Sequence, residues 1–302
     1  MEHLRALFAS AVLALIIAVA CGCGGAGSPG SHSAPTSPSA NLPQFTRVFL
    51  VVEENRGFSS VIGNSSMPYL NALAAQYGLA TQYYGNVHPS LPNYFMLTTG
   101  QLVAPDDSFA GTISDDNIVR ELAASGKSWK AYTESLPNAG YMGANVYPYV
   151  RDHNPFVYFS DVINSSTTAS NMVPFTQFAV DLQNNQLPNF SFILPDLIHD
   201  AHDGTTAQAD AWLQANLDPL IKSAAFQQSG LLIITFDEAE DTDITNGGGH
   251  VATIIVSPLA KKGFKSTTLY QHQSTLRLIL EALGASGFPG ASANAPSMEE
   301  FF

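Results

Sequence analysis

Two apolar runs of the chain end in acidic and amide side chains. The first run covers residues 48–52 and the second covers residues 231–236. Because polar residues do not alternate along them, such runs are typical of strands buried on both faces. This pattern predicts a mainly parallel sheet that is covered by helices. The first run is followed by Glu53, Glu54 and Asn55, and the second run by Asp237 and Glu238.

Strand-like and helix-like patterns alternate along the rest of the chain. Further strands are predicted at residues 129–132, 190–194 and 251–256. Helices are predicted at residues 66–76, 93–99, 114–124 (capped by Ser114), 175–182, 205–223 and 273–283. This alternation indicates crossover units. The predicted fold class is therefore α/β, a three-layer α/β/α sandwich with a mainly parallel central sheet.

The polar residues at the strand ends have two interpretations. In open α/β sheets the ligand crevice lies beyond the carboxyl ends of the strands. Carboxylate and amide oxygens that reach this crevice from two distant segments predict a divalent metal site. Alternatively these residues cap the helices that follow, since Asp, Glu and Asn are common at helix starts. At either strand alone, the two interpretations are equally good.

Ser90 stands at the start of the predicted helix 93–99, with Pro92 in its first turn. Proline is tolerated there because the backbone N–H it lacks would have no partner. A hydroxyl at this place lies at the positive end of the helix dipole, where free N–H groups can hold an anion. Ser90 is thus either a nucleophile or a helix cap, and the local pattern alone favours the cap.

The N-terminus resembles an export signal. Residues 1–21 join a short charged start to an apolar core, and small residues precede Cys21. The pattern predicts lipidation of Cys21, with ordinary cleavage near Ala20 or a retained anchor as alternatives. Residues 22–42 form a Gly/Ser/Pro-rich linker, and residues 43–302 suit one large domain. We expect an exported lipoprotein anchored in the cell envelope, or otherwise a secreted protein.

Composition excludes some functions. The formal charge is −13, with only 12 Lys and Arg residues, which argues against nucleic-acid binding. The chain has 2 cysteines, Cys21 and Cys23, and both precede the predicted domain. That domain therefore has no disulfide, no thiolate metal site and no cysteine nucleophile. Membrane contact is expected only through the N-terminal lipid anchor.

Four segments have the motifs of one family in the same order along the chain. They are Glu54-Asn55-Arg56, Ser90 with Pro92 and Asn93, His199 with His202 and Asp203, and Asp237-Glu238 followed by His250-Val251. Together they resemble the bacterial phosphoesterase family of acid phosphatases and phosphatidylcholine-type phospholipases C, in the alkaline-phosphatase-like superfamily. Residues 239–241 depart from the His-Gly-Gly of phospholipase-like members. The substrate therefore stays open between a small-molecule and a lipid phosphoester.

The resemblance implies an alkaline-phosphatase-like phosphoesterase domain over residues 43–302. Its activity would be metal-dependent hydrolysis of phosphoric ester bonds, with Ser90 attacking phosphorus. His202 and His250 would contact the phosphate or protonate the leaving oxygen. The implied ligands of the divalent metal ion, whose identity the motifs leave open, are Glu54, Asn55, Asp196, His199, Asp237 and Glu238.

Two alternatives remain within this resemblance. One is a non-catalytic surface lipoprotein on a phosphoesterase scaffold. The other is a sulfatase-type relative, although the sulfatase signature has Arg at the position of Tyr94.

Asp196, at the end of a predicted strand, could orient a ligand instead of binding the metal. The motifs say nothing of the oligomeric state.

Overall fold

A computed structural model of the protein describes residues 42–302. The predicted leader 1–21, the lipidation site Cys21 and the predicted linker as far as residue 41 lie outside the described residues. Within residues 42–302, no helix combines the length and the apolar character that a bilayer-spanning segment requires.

The described residues contain one mixed sheet of nine strands. The strands are β1 (Arg47–Glu53), β2 (Gly78–Tyr84), β3 (Trp129–Thr133), β4 (Met172–Pro174), β5 (Phe190–Leu194), β6 (Gly230–Phe236), β7 (His250–Val256), β8 (Lys265–Ser266) and β9 (Tyr270–Gln271). Their order is β4-β3-β5-β1-β6-β7-β2-β8, and β9 also pairs with β2. Strand β7 runs antiparallel to β6 and β2, whereas the other strand pairs are parallel.

Helices connect the strands from β1 to β6. The α-helices of the described residues are α1 (Phe58–Val61), α2 (Pro68–Gln76), α3 (Ser90–Thr99), α4 (Ile118–Ala124), α5 (Ser160–Ile163), α6 (Ser166–Ala169), α7 (Thr176–Gln183), α8 (Thr206–Lys222), α9 (Ala224–Ser229) and α10 (His272–Ala282). Short 3-10 helices lie at Arg151–His153, Pro155–Tyr158, Gly290–Asn294 and Glu299–Phe301.

The helices cover both faces of the sheet. Phe49 of β1 packs against Phe226 of α9 and Phe178 of α7, at ring-centroid distances of 6.1 and 6.4 Å. Phe192 of β5, which is in register with Leu50, packs instead against Tyr94 of α3. Because successive side chains of a strand point to opposite faces, α3 lies on the face opposite α7 and α9. The predicted α/β/α sandwich is confirmed.

The apolar runs predicted the central strands. Strands β1, β3, β5 and β6 lie where the sequence placed them, and β1 and β6 are adjacent and parallel. The strand predicted at 251–256 is also present, but it is antiparallel to its neighbours. Burial on both faces removes the polar alternation from either kind of strand, so the apolar run cannot reveal the direction.

Two helix starts differ from the prediction by three or more residues. Helix α4 begins at Ile118 and not at residue 114, because the side chain of Asn117 accepts hydrogen bonds from the backbone N–H groups of Val119 and Arg120. Asn117 is therefore the cap that the sequence assigned to Ser114. Helix α3 begins at Ser90 and not at residue 93.

Candidate active site

Two neighbouring strands bring the predicted polar residues to one edge of the sheet. Strands β1 and β6 are parallel and in register, with Glu53 opposite Phe236. Glu54 and Asp237 therefore leave the sheet side by side. No side chain caps α1, the helix that follows β1, and no helix separates β6 from β7 in the described residues. The capping interpretation of these strand-end residues is therefore wrong.

Ser90 lies among the strand-end oxygens. Its Oγ is 3.2 Å from Glu54 Oε2, 3.3 Å from Glu238 Oε1 and 3.5 Å from Asn55 Oδ1. Asp237 completes the group, because the backbone N–H of Asn55 donates to its Oδ1 over 3.3 Å. Ser90 itself makes no capping hydrogen bond to helix α3. The fold thus gathers Ser90 and all four predicted strand-end residues.

Burial makes negative charge on this group unfavourable. Glu54, Asp237 and Glu238 are all buried. Burial raises the pKa of all three carboxyl groups, and the charge of Asp237 raises the pKa of Glu54 and Glu238 further. The charge of His153 opposes the shift in the pKa of Asp237. A folded protein must therefore compensate these carboxylates with protons or with a cation.

The group fits a divalent cation. Carboxylate, amide and hydroxyl oxygens are the ligands preferred by hard ions such as Mg²⁺, Ca²⁺ and Mn²⁺. Asp237 Oδ2 is buried and has no hydrogen-bond partner within the described residues. An orphaned carboxylate oxygen in a group with four other oxygen-bearing side chains is what a cation site would require. The residues that would hold the ion are Glu54, Asn55, Ser90, Asp237 and Glu238.

A cavity of about 380 Å³ opens onto Ser90. Its walls contain His202, whose Nδ1 lies 2.8 Å from Asp203 Oδ1. The fold therefore brings His202 to the same cavity as Ser90, as the sequence predicted. The residues that line the cavity are Asn55, Pro89, Ser90, Asp107, Val150, Asp152, His153, Leu197, His202, Glu238 and Asp241.

His153 is a cavity residue that the sequence analysis missed. Its Nδ1 lies 3.5 Å from Glu54 Oε1 and 3.5 Å from Asp200 Oδ2, and its ring stacks on Tyr94. Burial disfavours the charged imidazole, but the hydrogen bond and charge of Asp200 and the charge of Asp237 outweigh burial and raise the pKa of His153. His153 thus favours a positive charge beside the acidic group.

Tyr94 and Asp200 both make hydrogen bonds with Glu54. The hydroxyl of Tyr94, one turn after Ser90 in α3, donates to Glu54 Oε1. Asp200 is buried, and the backbone N–H of Glu54 donates to its carbonyl over 2.7 Å. Asp200 directly follows His199 in the sequence, inside the segment that carries the His199 and His202 motif, and this was the one signal for it.

The structure does not bring Asp196 and His199 to Ser90. His199 Nδ1 lies 3.0 Å from Glu134 Oε2 and 3.2 Å from Asp196 Oδ1. Trp212 Nε1 donates to Glu134 over 3.0 Å, and Ser135 Oγ donates to Asp196 over 2.6 Å. These groups could jointly reach one ion, but existing hydrogen bonds already engage them. They form a separate cluster outside the walls of the cavity.

His250 does not line the cavity either. Its ring is stacked on Phe58 at a centroid distance of 4.4 Å and on Tyr84 at 4.9 Å. Its Nε2 donates to the carbonyl oxygen of Thr81 over 3.0 Å. Burial lowers the pKa of His250, which favours the neutral ring. The fold places this predicted phosphate contact in an aromatic stack.

A family profile and two sequence relatives match this chain. The sequence profile of the Phosphoesterase family matches residues 63–284. A probable acid phosphatase of Kluyveromyces lactis is 36% identical over 242 residues, which cover 77% of this chain and 56% of that protein. A phosphatidylinositol-3-phosphatase of Mycobacterium tuberculosis is 33% identical over 267 residues, which cover 86% of this chain and 84% of that protein. This chain thus spans little more than half of the yeast relative.

Solved structures share the fold at low sequence identity. A protein of the alkaline phosphatase superfamily from Vibrio parahaemolyticus matches with a TM-score of 0.59 and 13% identity, over 88% of this chain and 74% of that one. The lipoteichoic acid synthase LtaP of Listeria monocytogenes matches with a TM-score of 0.59 and 12% identity, over 87% of this chain and 79% of that one. These likenesses place the fold among the alkaline-phosphatase-like folds. On the family match and the two sequence relatives, this chain belongs to the Phosphoesterase family.

Proposed function

We propose that this protein is a metal-dependent phosphoester hydrolase of the acid-phosphatase type. The observation that carries the proposal is the position of Ser90 Oγ, which lies within 3.5 Å of oxygens from Glu54, Asn55 and Glu238 at the wall of a cavity. The names of the yeast and mycobacterial relatives, a probable acid phosphatase and a phosphatidylinositol-3-phosphatase, support the same reaction class.

Ser90 is the proposed nucleophile. Its hydroxyl donates to a carboxylate and does not accept from the helix, so its proton can pass to Glu54 or Glu238 as Oγ attacks phosphorus. The bond from phosphorus to the ester oxygen breaks, and a phosphoserine forms. Water then hydrolyses the phosphoserine and releases phosphate. When bound, a divalent cation supplies positive charge that favours the serine alkoxide and neutralises the phosphoryl oxygens.

The two cavity histidines have different proposed roles. His202 keeps Nδ1 on Asp203, which leaves Nε2 to donate a proton to the leaving oxygen. His153 favours its charged form, so it can compensate the negative charge that phosphate brings into the cavity. His250 has no part in this scheme, because its ring is held by Phe58 and Tyr84.

A substrate panel with metal removal tests the proposal. The panel contains 4-nitrophenyl phosphate, bis(4-nitrophenyl) phosphate and vesicles that carry phosphatidylinositol 3-phosphate. We expect hydrolysis of the monoester to stop after chelation and to return with a divalent ion. Acid quenching during turnover should trap phosphate on the peptide that contains Ser90, as read by mass spectrometry. Full activity after exhaustive chelation would reject the metal, and phosphate trapped elsewhere would reject Ser90.

The panel also separates a small-molecule from a lipid substrate. Preference for the vesicles over the soluble monoester would assign the site to a lipid phosphoester. Neither alternative from the sequence is favoured, since the relatives are named as phosphatases. Tyr94, which replaces the Arg of the sulfatase signature, donates to Glu54. The export and the lipid anchor at Cys21 remain proposals that rest on residues 1–21.

A further inference from the structure

Asn93 is a buried amide that connects two parts of the site. It lies in helix α3 three residues after Ser90, with no solvent exposure. Its Oδ1 accepts from the backbone N–H groups of Asn86 (2.9 Å) and Val87 (3.2 Å). Its Nδ2 donates to the carbonyl oxygen of Val87 (2.7 Å) and to Glu238 Oε2 (3.1 Å). The side chain thus uses both N–H donors and both lone pairs of its oxygen.

These contacts fix the orientation of the Glu238 carboxylate. Its Oε2 accepts from Asn93 and lies 3.0 Å from Nδ1 of His88. His88 is itself anchored, because its Nε2 donates to the carbonyl oxygen of Asp243. With Oε2 held in this way, Oε1 is the oxygen that remains on the side of Ser90, at 3.3 Å from Oγ. Rotation of the carboxylate would break the hydrogen bond to Asn93.

We propose that Asn93 is a positioning residue for this site. Its amide presents Oε1 of Glu238 to Ser90 and to the cation, and it fixes the turn through Val87 that leads into the helix. The inference rests on the proposed function, because it treats Glu238 as a cation ligand. Hydrogen-bond partners that orient metal ligands typically change metal affinity or activity 10–100-fold when they are lost. A carboxylate in place of the amide could not donate and would repel Glu238.

The substitution Asn93→Asp replaces the donor with a negatively charged oxygen. It retains the shape and an oxygen for the N–H groups of Asn86 and Val87, but it removes the N–H that reaches Glu238. We expect the Kd for Mn²⁺, measured by calorimetry, to rise about 10–100-fold. We also expect kcat for 4-nitrophenyl phosphate to fall at saturating Mn²⁺ with little change in KM, because Asn93 does not line the cavity.

Asn71 provides a matched control. Its Oδ1 accepts from the N–H of Gly63 (2.7 Å), and its Nδ2 donates to the carbonyl oxygens of Val61 (2.9 Å) and Met67 (2.8 Å). It ties a loop with the same kind of hydrogen bonds but contacts no residue of the site. Asn71→Asp should keep the Mn²⁺ affinity and kcat of the wild type. Equal effects of Asn71→Asp and Asn93→Asp on both quantities would overturn the proposal.

A double-mutant cycle with Glu238→Gln tests the pairing itself. In Asn93→Asp/Glu238→Gln the donor and the acceptor exchange places, so the hydrogen bond can form again with reversed polarity. We expect the double variant to lose less kcat than the product of the two single losses, and strictly multiplicative losses would overturn the proposal. If Asn93→Asp does not fold, the uncharged Asn93→Ser replaces it and is compared with Asn71→Ser, with the same expected losses.

The positioning role of Asn93 and the proposed phosphoester hydrolysis can fail separately. If the wild type hydrolyses the monoester but binds no Mn²⁺, Mg²⁺ or Ca²⁺, the metal part of the proposed function fails. The double-mutant cycle, with kcat as the measured quantity, then tests the positioning role of Asn93 alone. If the wild type binds Mn²⁺ but hydrolyses no phosphoester, the reaction class fails, and the cycle measured in Mn²⁺ affinity decides on Asn93.

Discussion

Chelation should make the stability of the protein fall as the pH rises above neutrality. In the metal-free protein, burial raises the pKa of Glu54, Asp237 and Glu238. An acid with a raised folded-state pKa binds protons more tightly in the folded than in the unfolded protein. Its contribution to stability is complete below the unfolded-state pKa and is lost as the pH rises through the folded-state pKa. His153, whose pKa is also raised, acts in the same direction.

Two other histidines determine which pH range is informative. Burial lowers the pKa of His250, and it lowers the pKa of His272 to about 4. For these two groups the unfolded chain binds more protons below its own pKa, so their contribution to stability rises with pH up to about 6.5. Above about pH 7 this opposing contribution is complete. The carboxylates then determine the slope.

The magnitude follows from proton linkage. One extra proton bound by the folded protein changes the free energy of unfolding by about 1.4 kcal/mol per pH unit. Between about pH 7 and pH 8.5, one such proton corresponds to about 2 kcal/mol. For a domain of this size, that lowers Tm by about 4–8 °C. The measurement is a series of thermal melts of the protein in excess chelator.

Excess Mn²⁺ should remove most of this pH dependence. A cation that binds the folded protein replaces the protons, and at 100 times its Kd it adds about 2.7 kcal/mol to the free energy of unfolding. The metal-free variant Glu238→Gln should also show a shallower slope, because it lacks one of the raised acids. A metal-free Tm that stays constant or rises between about pH 7 and pH 8.5 would refute the reasoning.

Three further predictions concern single residues. Ser90→Ala should lower turnover by several orders of magnitude with little change in Tm, because Ser90 caps nothing. If the variant instead lost about 0.5–2 kcal/mol of stability and kept its turnover, Ser90 would be a helix cap. His202→Ala should lower kcat about 100-fold or more, whereas His250→Ala should mainly lower Tm; the reverse pattern would contradict the assignment of roles. Cys21→Ser should move the protein out of the membrane fraction, and unchanged fractionation would count against lipidation.

The sequence could predict the strand-end half of the site. The two apolar runs that end in acidic and amide side chains become the adjacent parallel strands β1 and β6. Parallel strands end at the same edge of a sheet, so the residues after them must meet. That single geometric rule was enough to assemble Glu54, Asn55, Asp237 and Glu238. The family motif then added Ser90, which the local pattern alone had favoured as a cap.

His153, His199 and His202 could not be placed by the same rule, because they lie outside the strands and α-helices. His153 belongs to a short 3-10 helix in a segment without strand or helix periodicity, so nothing local connects it to Glu54. The spacing of His199 and His202 suggested that both could reach one site. Ala201 between them has a φ of 76°, in the left-handed region, which turns the backbone. His199 consequently contacts Glu134, whereas His202 lines the cavity.

The choice between cap and nucleophile at Ser90 depends on where α3 begins. A helix beginning at residue 93 would have left Ser90 outside its first turn, and a capping hydroxyl would accept from backbone N–H groups. Pro92 permits the earlier start, because it needs no hydrogen bond in the first turn. With α3 beginning at Ser90, the hydroxyl is released from the backbone and donates to Glu54 or Glu238. The same start places Asn93 and Tyr94 within hydrogen-bond reach of those two carboxylates, so one helix supplies both the nucleophile and the groups that orient its acidic partners.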